Sequence, residues 1–168
     1  MSLTSQPGQI LLPFAEKEWI SVERCCTILD IGVATFYRLR ERRDPHGRPL
    51  IEVTDYGLGR RQRVLYISIV AYCDRLRERH AIPDQRPPLP NPIFRHRDED
   101  LLPFALSDTI YVPEALSCLG YDSKNVVFHL CEEGAFWAYQ ILPEPGSPWR
   151  ISRSDFRRWL ETCRNRQR

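Results

Sequence analysis

Arginine is the residue type through which this sequence can do chemistry, and that chemistry is recognition. Of 24 basic side chains only Lys17 and Lys124 are lysine, which leaves 22 guanidinium groups. Each presents a planar fork of donors that fits phosphate oxygens and the guanine edge. Residues 16–80 carry 13 basic against 10 acidic side chains, whereas residues 101–168 carry eight of each. Any phosphate contact is therefore expected to fall mainly on the first stretch. The cysteines (25, 26, 73, 118, 131 and 163) include no Cys-x-x-Cys pair, and no histidine stands at ligand spacing from them. They read mostly as small buried thiols, with no metal site expected. No nucleophile–base pair, phosphate loop or paired carboxylates stand out, so neither an enzyme nor a cofactor is expected.

The 168 residues are 42% hydrophobic, enough for a core, and their net charge is only +2. No apolar run approaches the ~20 residues of a membrane span. Met1 to Gly8 lacks the basic head and apolar stretch of a signal peptide. The expectation is a soluble cytoplasmic chain, nucleoid-associated if it binds DNA.

The elements that would position the arginines occur twice. Leu11-Leu12-Pro13-Phe14-Ala15 recurs letter for letter as Leu101-Leu102-Pro103-Phe104-Ala105. Ile20, Val22 and Leu29 match Ile110, Val112 and Leu119 at the same spacing, and Phe36-Tyr37-x-Leu39 matches Val127-Phe128-x-Leu130 one residue further on. Ile67-Ser68, Tyr72 and Leu76 match Ile151-Ser152, Phe156 and Leu160 at a spacing of 84. The drift places length differences in loops, and the whole reads as a tandem duplication. Between the copies, Ala81 to Pro92 holds five prolines in twelve residues. That composition predicts a semi-rigid spacer reaching roughly 30 Å, close to one turn of B-DNA. Arg95-His96-Arg97-Asp98-Glu99-Asp100 reads as a charged, solvated lead-in. The expected organisation is an N-terminal arm (1–15), domain 1 (16–80), a proline-rich linker (81–100) and domain 2 (101–168).

Within copy one, Ser21 is a plausible N-cap for a short helix ending near Leu29. Gly32 suits the following turn through its tolerance of positive φ. A second helix runs from Ala34 to Arg43, with Phe36 and Leu39 inward. Strands at 49–53 and 63–67 flank a glycine-rich, arginine-tipped loop, and Ser68 caps a last helix to about Arg79. In copy two the elements are Val112–Leu119, Ser123–Glu133, strands at 136–142 and 149–151, and a helix capped by Ser152. Two short helices across a tight turn expose one face of major-groove size, and an arginine-tipped hairpin beside them can reach phosphates or the minor groove.

Leu29-Asp30-Ile31-Gly32-Val33-Ala34-Thr35-Phe36-Tyr37-Arg38-Leu39 resembles the turn and recognition helix of the excisionase-like and MerR-like winged helix-turn-helix family. Trp149-Arg150-Ile151-Ser152-Arg153-Ser154-Asp155-Phe156-Arg157-Arg158-Trp159-Leu160 is similar to that family's strand-into-helix ending. The resemblance implies an α+β, mainly helical fold of two winged helix-turn-helix domains in tandem. It implies a sequence-specific double-stranded DNA-binding protein, acting as a transcriptional regulator or an excisionase-like recombination or architectural factor. Neither copy is followed here by the long helix of MerR regulators, so no small-molecule effector is expected. Asp30 stands where copy two has the family's usual glycine, Gly120.

Residue by residue, the resemblance turns Ala34, Thr35, Arg38 and Arg42 toward base edges and phosphates, with Arg60, Arg61 and Arg63 as wing contacts. In copy two the matching positions are Ser123, Lys124, Asn125 and His129, with Arg150 and Arg153 near the wing. Phe36, Tyr37, Phe128, Phe156 and Trp159 read as core. The second hairpin carries more apolar area than a small wing can bury, so Trp137 and Trp149 are expected to pack on the other copy or on a second chain. Glu132 and Glu133 close the second copy's recognition helix, where they would repel phosphate. The rival reading is an interaction module in which one or both copies have lost DNA contact and bind protein.

Overall fold

A computed structural model describes residues 18–55, 62–91 and 95–167. The first element, β1 (Trp19–Ser21), runs straight into α1 (Val22–Leu29). Ser21 caps that helix, its Oγ accepting from the Arg24 amide at 3.1 Å. Cys25, Cys26, Ile28 and Leu29 fall at helical spacing and are all buried. Asp30, with φ 51°, takes the left-handed conformation that ends the helix. Gly32, expected in the turn for its tolerance of positive φ, does not use it and is an extended N-cap at φ −77°. The second copy places Gly120 at the equivalent helix end with φ 70°. Asp is one of the few side chains that tolerate this region, which is why it can stand in for glycine.

The next helix, α2 (Val33–Glu41), starts one residue earlier than expected and ends two earlier, Arg42 being its C-cap. Only Phe36 and Leu39 are buried along it. Asp44 then closes a turn by accepting from the amides of His46 (2.8 Å) and Arg48 (2.9 Å). The expected strand at 49–53 is displaced to β2 (Val53–Asp55). Leu50 and Ile51 are buried, but Leu50 bonds to Arg42 and Arg75 instead of a sheet neighbour. The partner strand is β3 (Gln62–Leu65), and α3 (Tyr66–Arg79) follows without a break. Ser68 therefore lies inside the helix and is not its N-cap. Its hydroxyl donates to the Leu65 carbonyl at 2.7 Å and accepts from the Glu52 amide at 2.9 Å. The three strands form an antiparallel sheet in the order β1-β3-β2, with Ile20 and Val53 both opposite Val64.

The later half repeats the sequence of elements: β4 (Thr109–Tyr111), α4 (Val112–Leu119), α5 (Lys124–Glu132), β5 (Ala138–Tyr139), β6 (Arg150–Ser152) and α6 (Arg153–Arg166). The sheet order β4-β6-β5 is again first-third-second, and Ile110 and Ala138 lie opposite Ile151. Ser152 caps α6, accepting from the Asp155 amide at 3.2 Å. The molecule is thus α+β, with six α-helices and two three-stranded antiparallel sheets among the described residues. The register makes Val64 the counterpart of Ile151 and Tyr66 that of Arg153, a spacing of 87. Sequence matching at 84 had slipped the last helix by three residues, which leaves nearly the same helix face aligned.

The chain divides into two compact units, one holding residues to 75 with 86–102, the other 76–85 with 103–168. The expected spacer at 81–100 is therefore shared between them. Nor is the charged lead-in solvated throughout, although Arg97 and Glu99 are exposed. Arg95 is 7% exposed, pairs with Glu18 at 2.6 Å and lies 3.9 Å from the Tyr66 ring centroid, while Asp98 pairs with Arg24 at 3.0 Å. Arg86 pairs with Asp74 at 3.1 Å. These contacts anchor the segment after Gln85 to the first unit. The core of the second unit gathers Ile110, Ala115, Val127, Phe136, Trp149, Ile151 and Phe156. Phe136, Phe156 and Trp159 form an aromatic trio with centroids 5.1 to 5.9 Å apart.

Candidate nucleic-acid interface

In the first unit the tight link Asp30-Ile31-Gly32 sets α2 against α1, and because only Phe36 and Leu39 turn inward the rest of α2 is surface. Ala34 and Arg38 are exposed and Thr35 is half-buried, one turn apart on the helix. Arg38 donates to Thr35 Oγ1 across 3.5 Å. Arg42 and Arg43 are exposed just past the end of the helix. Val33 (55% exposed) and Tyr37 (45% exposed) share this surface. Tyr37 was expected in the core; the edge of its ring meets Phe36 at 5.5 Å, and Arg40 lies 5.9 Å from its centroid. The outward face of α2 thus mixes cations with an aliphatic and an aromatic group, a combination that suits guanine edges and thymine methyls. Their signal was available, since a nine-residue helix with two inward positions must expose its other apolar groups.

Arg63 on β3 is exposed. Arg60 and Arg61 lie outside the described residues. Between the end of α2 and the hairpin lies a polar groove of about 390 Å³, lined in part by Arg40, Arg43, Glu52 and Thr54. Neither Arg43 nor Arg48 was among the DNA contacts expected from sequence. Arg48 is spoken for by Asp44, at 2.9 Å, while Arg43 is exposed at the mouth of this groove.

The second unit presents a different surface at the same places. Ser123 is the N-cap of α5, its Oγ taking the Asn125 amide at 3.4 Å, and Lys124, Asn125 and His129 are exposed. His129 corresponds to Arg38, and its Nδ1 sits 3.6 Å from Glu132. Glu133 stands where the first unit has Arg42, so the charge at the helix end is reversed. Arg150, expected as a phosphate contact, is 6% exposed, its guanidinium 3.5 Å from the Tyr139 hydroxyl. Its neighbour Arg153 is half-buried and donates to the Ser107 carbonyl at 3.4 Å.

Trp149, expected at an interface, belongs to the second unit's own core, with His80 edge-on at 5.6 Å. Trp137 is half-buried under Arg158, 5.2 Å from its ring. The apolar excess of this hairpin is absorbed because Phe136, Tyr139, Ile141, Leu142 and Trp149 are all buried in the chain. Phe104, from the pentapeptide, meets Tyr139 edge-on at 5.1 Å.

Burial pushes the thiols of Cys25 and Cys131 up to about 12, which leaves them without nucleophilic character near neutral pH. No group of three or more His, Cys, Asp or Glu disposed to hold a metal occurs among the described residues. No helix there is long and apolar enough to cross a membrane. No protein-family model, curated protein or solved structure matches the chain.

Proposed function

We propose that the chain is a sequence-specific double-stranded DNA-binding protein of winged helix-turn-helix type, regulating transcription or mobile-element recombination by occupancy. The carrying observation is the outward face of α2, where Ala34, Tyr37, Arg38 and the flanking Arg42 are all exposed. In this reading α2 lies in the major groove, and Arg63 reaches phosphates or the minor groove. The element order shared by both halves supports a duplicated reading unit.

A specific observation favours a different role for the second unit. Glu132 and Glu133 end α5, and Arg150 is withdrawn into the fold. On this reading the first unit carries the DNA contact, which predicts a footprint of one half-site per chain.

The test is affinity for duplexes selected from a random library, measured against salt. Each neutralised phosphate adds about 0.9 to the slope of log affinity against log salt. Arg42→Ala is expected to lower the slope by about one unit, and Arg38→Ala to relax sequence preference at one position. His129→Ala is expected to change neither. Absence of binding at low salt would remove the DNA reading in favour of the interaction module.

A further inference from the structure

The second half of the sequence is neutral in sum but sorted along the chain. Residues 101–150 hold six acidic and two basic side chains, whereas residues 151–168 hold two acidic and six basic ones. Five of those six arginines stand on α6, with Asp155 and Glu161. Arg158 is taken by Asp155 at 2.7 Å, and that carboxylate also accepts from the Trp137 amide at 2.8 Å. Arg153, Arg157 and Arg164 fall within about 40° of arc on the helix and form one ridge, about 16 Å long. Arg157 and Arg164 are exposed, and their side chains make no ion pair or hydrogen bond among the described residues. Glu161 stands four residues after Arg157, the less favourable order for a helical ion pair, and the two do not bridge. The ridge walls a groove of about 480 Å³ between α4 and α6. Across it, Glu114 accepts from the Tyr111 amide at 3.4 Å, at the start of α4, where the helix dipole offsets its charge.

The ridge belongs to the second copy alone. The shared register puts Tyr66, Val70 and Arg77 of α3 at the same three positions. Tyr66 and Arg77 are 1% and 5% exposed, and Val70 is half-buried. A strap of residues 95–102 covers the start of α3, with Arg95 3.9 Å from the Tyr66 ring centroid. Nor does the ridge hold α6 in place. The neighbouring face does so, where Phe156 and Trp159 pack into the core of the second unit. That packing leaves α6 no free apolar face to sink into a bilayer. What remains outward is a row of guanidinium groups, whose planar donors fork around phosphate oxygens. One DNA strand offers a phosphate per about 3.4 Å of axis, so a ridge of this length spans about five of them.

We propose that the second unit holds duplex DNA through this ridge, Arg157 and Arg164 each neutralising a phosphate and neither reading a base. The claim rests on the DNA reading above and deepens it: α2 supplies the sequence preference, and α6 supplies affinity without preference.

The test titrates the full chain with two duplexes of about 30 base pairs, one selected from a random library and one of mixed sequence, over a range of salt. Poly-glutamate serves as a third titrant. Arg157→Gln with Arg164→Gln is expected to lower the slope of log affinity against log salt by about 1.8 on both duplexes and to leave their affinity ratio unchanged. Arg166→Gln, exposed on the opposite side of α6, is expected to leave the slope as it was. Arg38→Ala with Arg42→Ala should erase the preference for the selected duplex yet keep a salt-dependent hold on both. Unchanged circular dichroism and melting of each variant separate a lost contact from a lost fold. An unchanged slope in the double α6 variant, with binding otherwise intact, overturns the ridge and leaves the DNA reading standing. A wild-type chain that binds neither duplex overturns both. An equal loss from Arg166→Gln would make the effect one of net charge, and poly-glutamate binding lost in the α6 variant while DNA binding survives would make the partner an acidic protein. Either result overturns the proposal.

Discussion

Arg95→Ala separates a solvated lead-in from a packed strap. A guanidinium in solvent could be truncated at a cost within about 0.5 kcal/mol. In the fold Arg95 is 7% exposed, pairs with Glu18 at 2.6 Å and stacks 3.9 Å from the Tyr66 centroid. Breaking a buried pair costs about 3–5 kcal/mol when the partner is stranded. Glu18 is not stranded, because Arg24 still holds its other oxygen at 2.8 Å, so the lower part of that range applies. Loss of the cation–ring contact adds about 1–2 kcal/mol. Against this, the Arg95 Nε is buried with no hydrogen-bond partner, and its removal returns about 1 kcal/mol. The net expectation is a loss of about 3 kcal/mol, read from urea unfolding followed by circular dichroism. In a double-mutant cycle with Glu18→Gln, a coupling of about 1–2 kcal/mol should remain between the two side chains. A loss below about 0.5 kcal/mol, or no coupling, would refute the strap as a structural element.

Three further outcomes are expected. Gly120→Ala forces a Cβ into the left-handed region at φ 70° and should cost about 1–2 kcal/mol in thermal or urea unfolding. His80 is held down to about 4, from 6.5, by burial and then by the Arg79 charge. Between those values the unfolded chain binds a proton that the folded chain refuses, so stability falls as pH drops from 6.5 to about 4. His80→Gln should flatten that limb of a melting-temperature profile; an unchanged slope would assign the acid sensitivity to other groups. A thiol reagent at neutral pH should label exposed Cys118 first and leave Cys25 and Cys131 untouched until the chain unfolds, with the order read by mass spectrometry.

Features carried by neighbouring residues were legible before folding. The caps at Ser21 and Ser152, the inward pair Phe36 and Leu39, and the buried runs of α1 depend on spacing within one turn of helix. The repeated order of elements was legible too, because Ile20, Val22 and Leu29 recur as Ile110, Val112 and Leu119 at one spacing. Ser68 and Gly32 were misplaced because a cap or a turn glycine fits several neighbouring positions, and hydrogen bonds from elsewhere, such as that of the Glu52 amide to Ser68, settled the choice. Tyr37 was assigned to the core for its apolar ring, yet the inward arc of α2 has room for two side chains only.

From the sequence by itself came the kind of protein surface: guanidinium-rich, weighted to the first half, laid on elements that occur twice. Only the tertiary structure decided which arginines stay on that surface. Arg38, Arg42 and Arg150 are chemically alike, but Arg150 on its strand is enclosed beside Tyr139, whereas Arg38 on α2 and Arg42 at its end are exposed. Likewise Arg95 and Asp98 look solvated in a run of charges until Glu18, Arg24 and Tyr66, distant in sequence, meet them. Burial of a charge depends on partners many residues away, and spacing along the chain does not encode where those partners arrive.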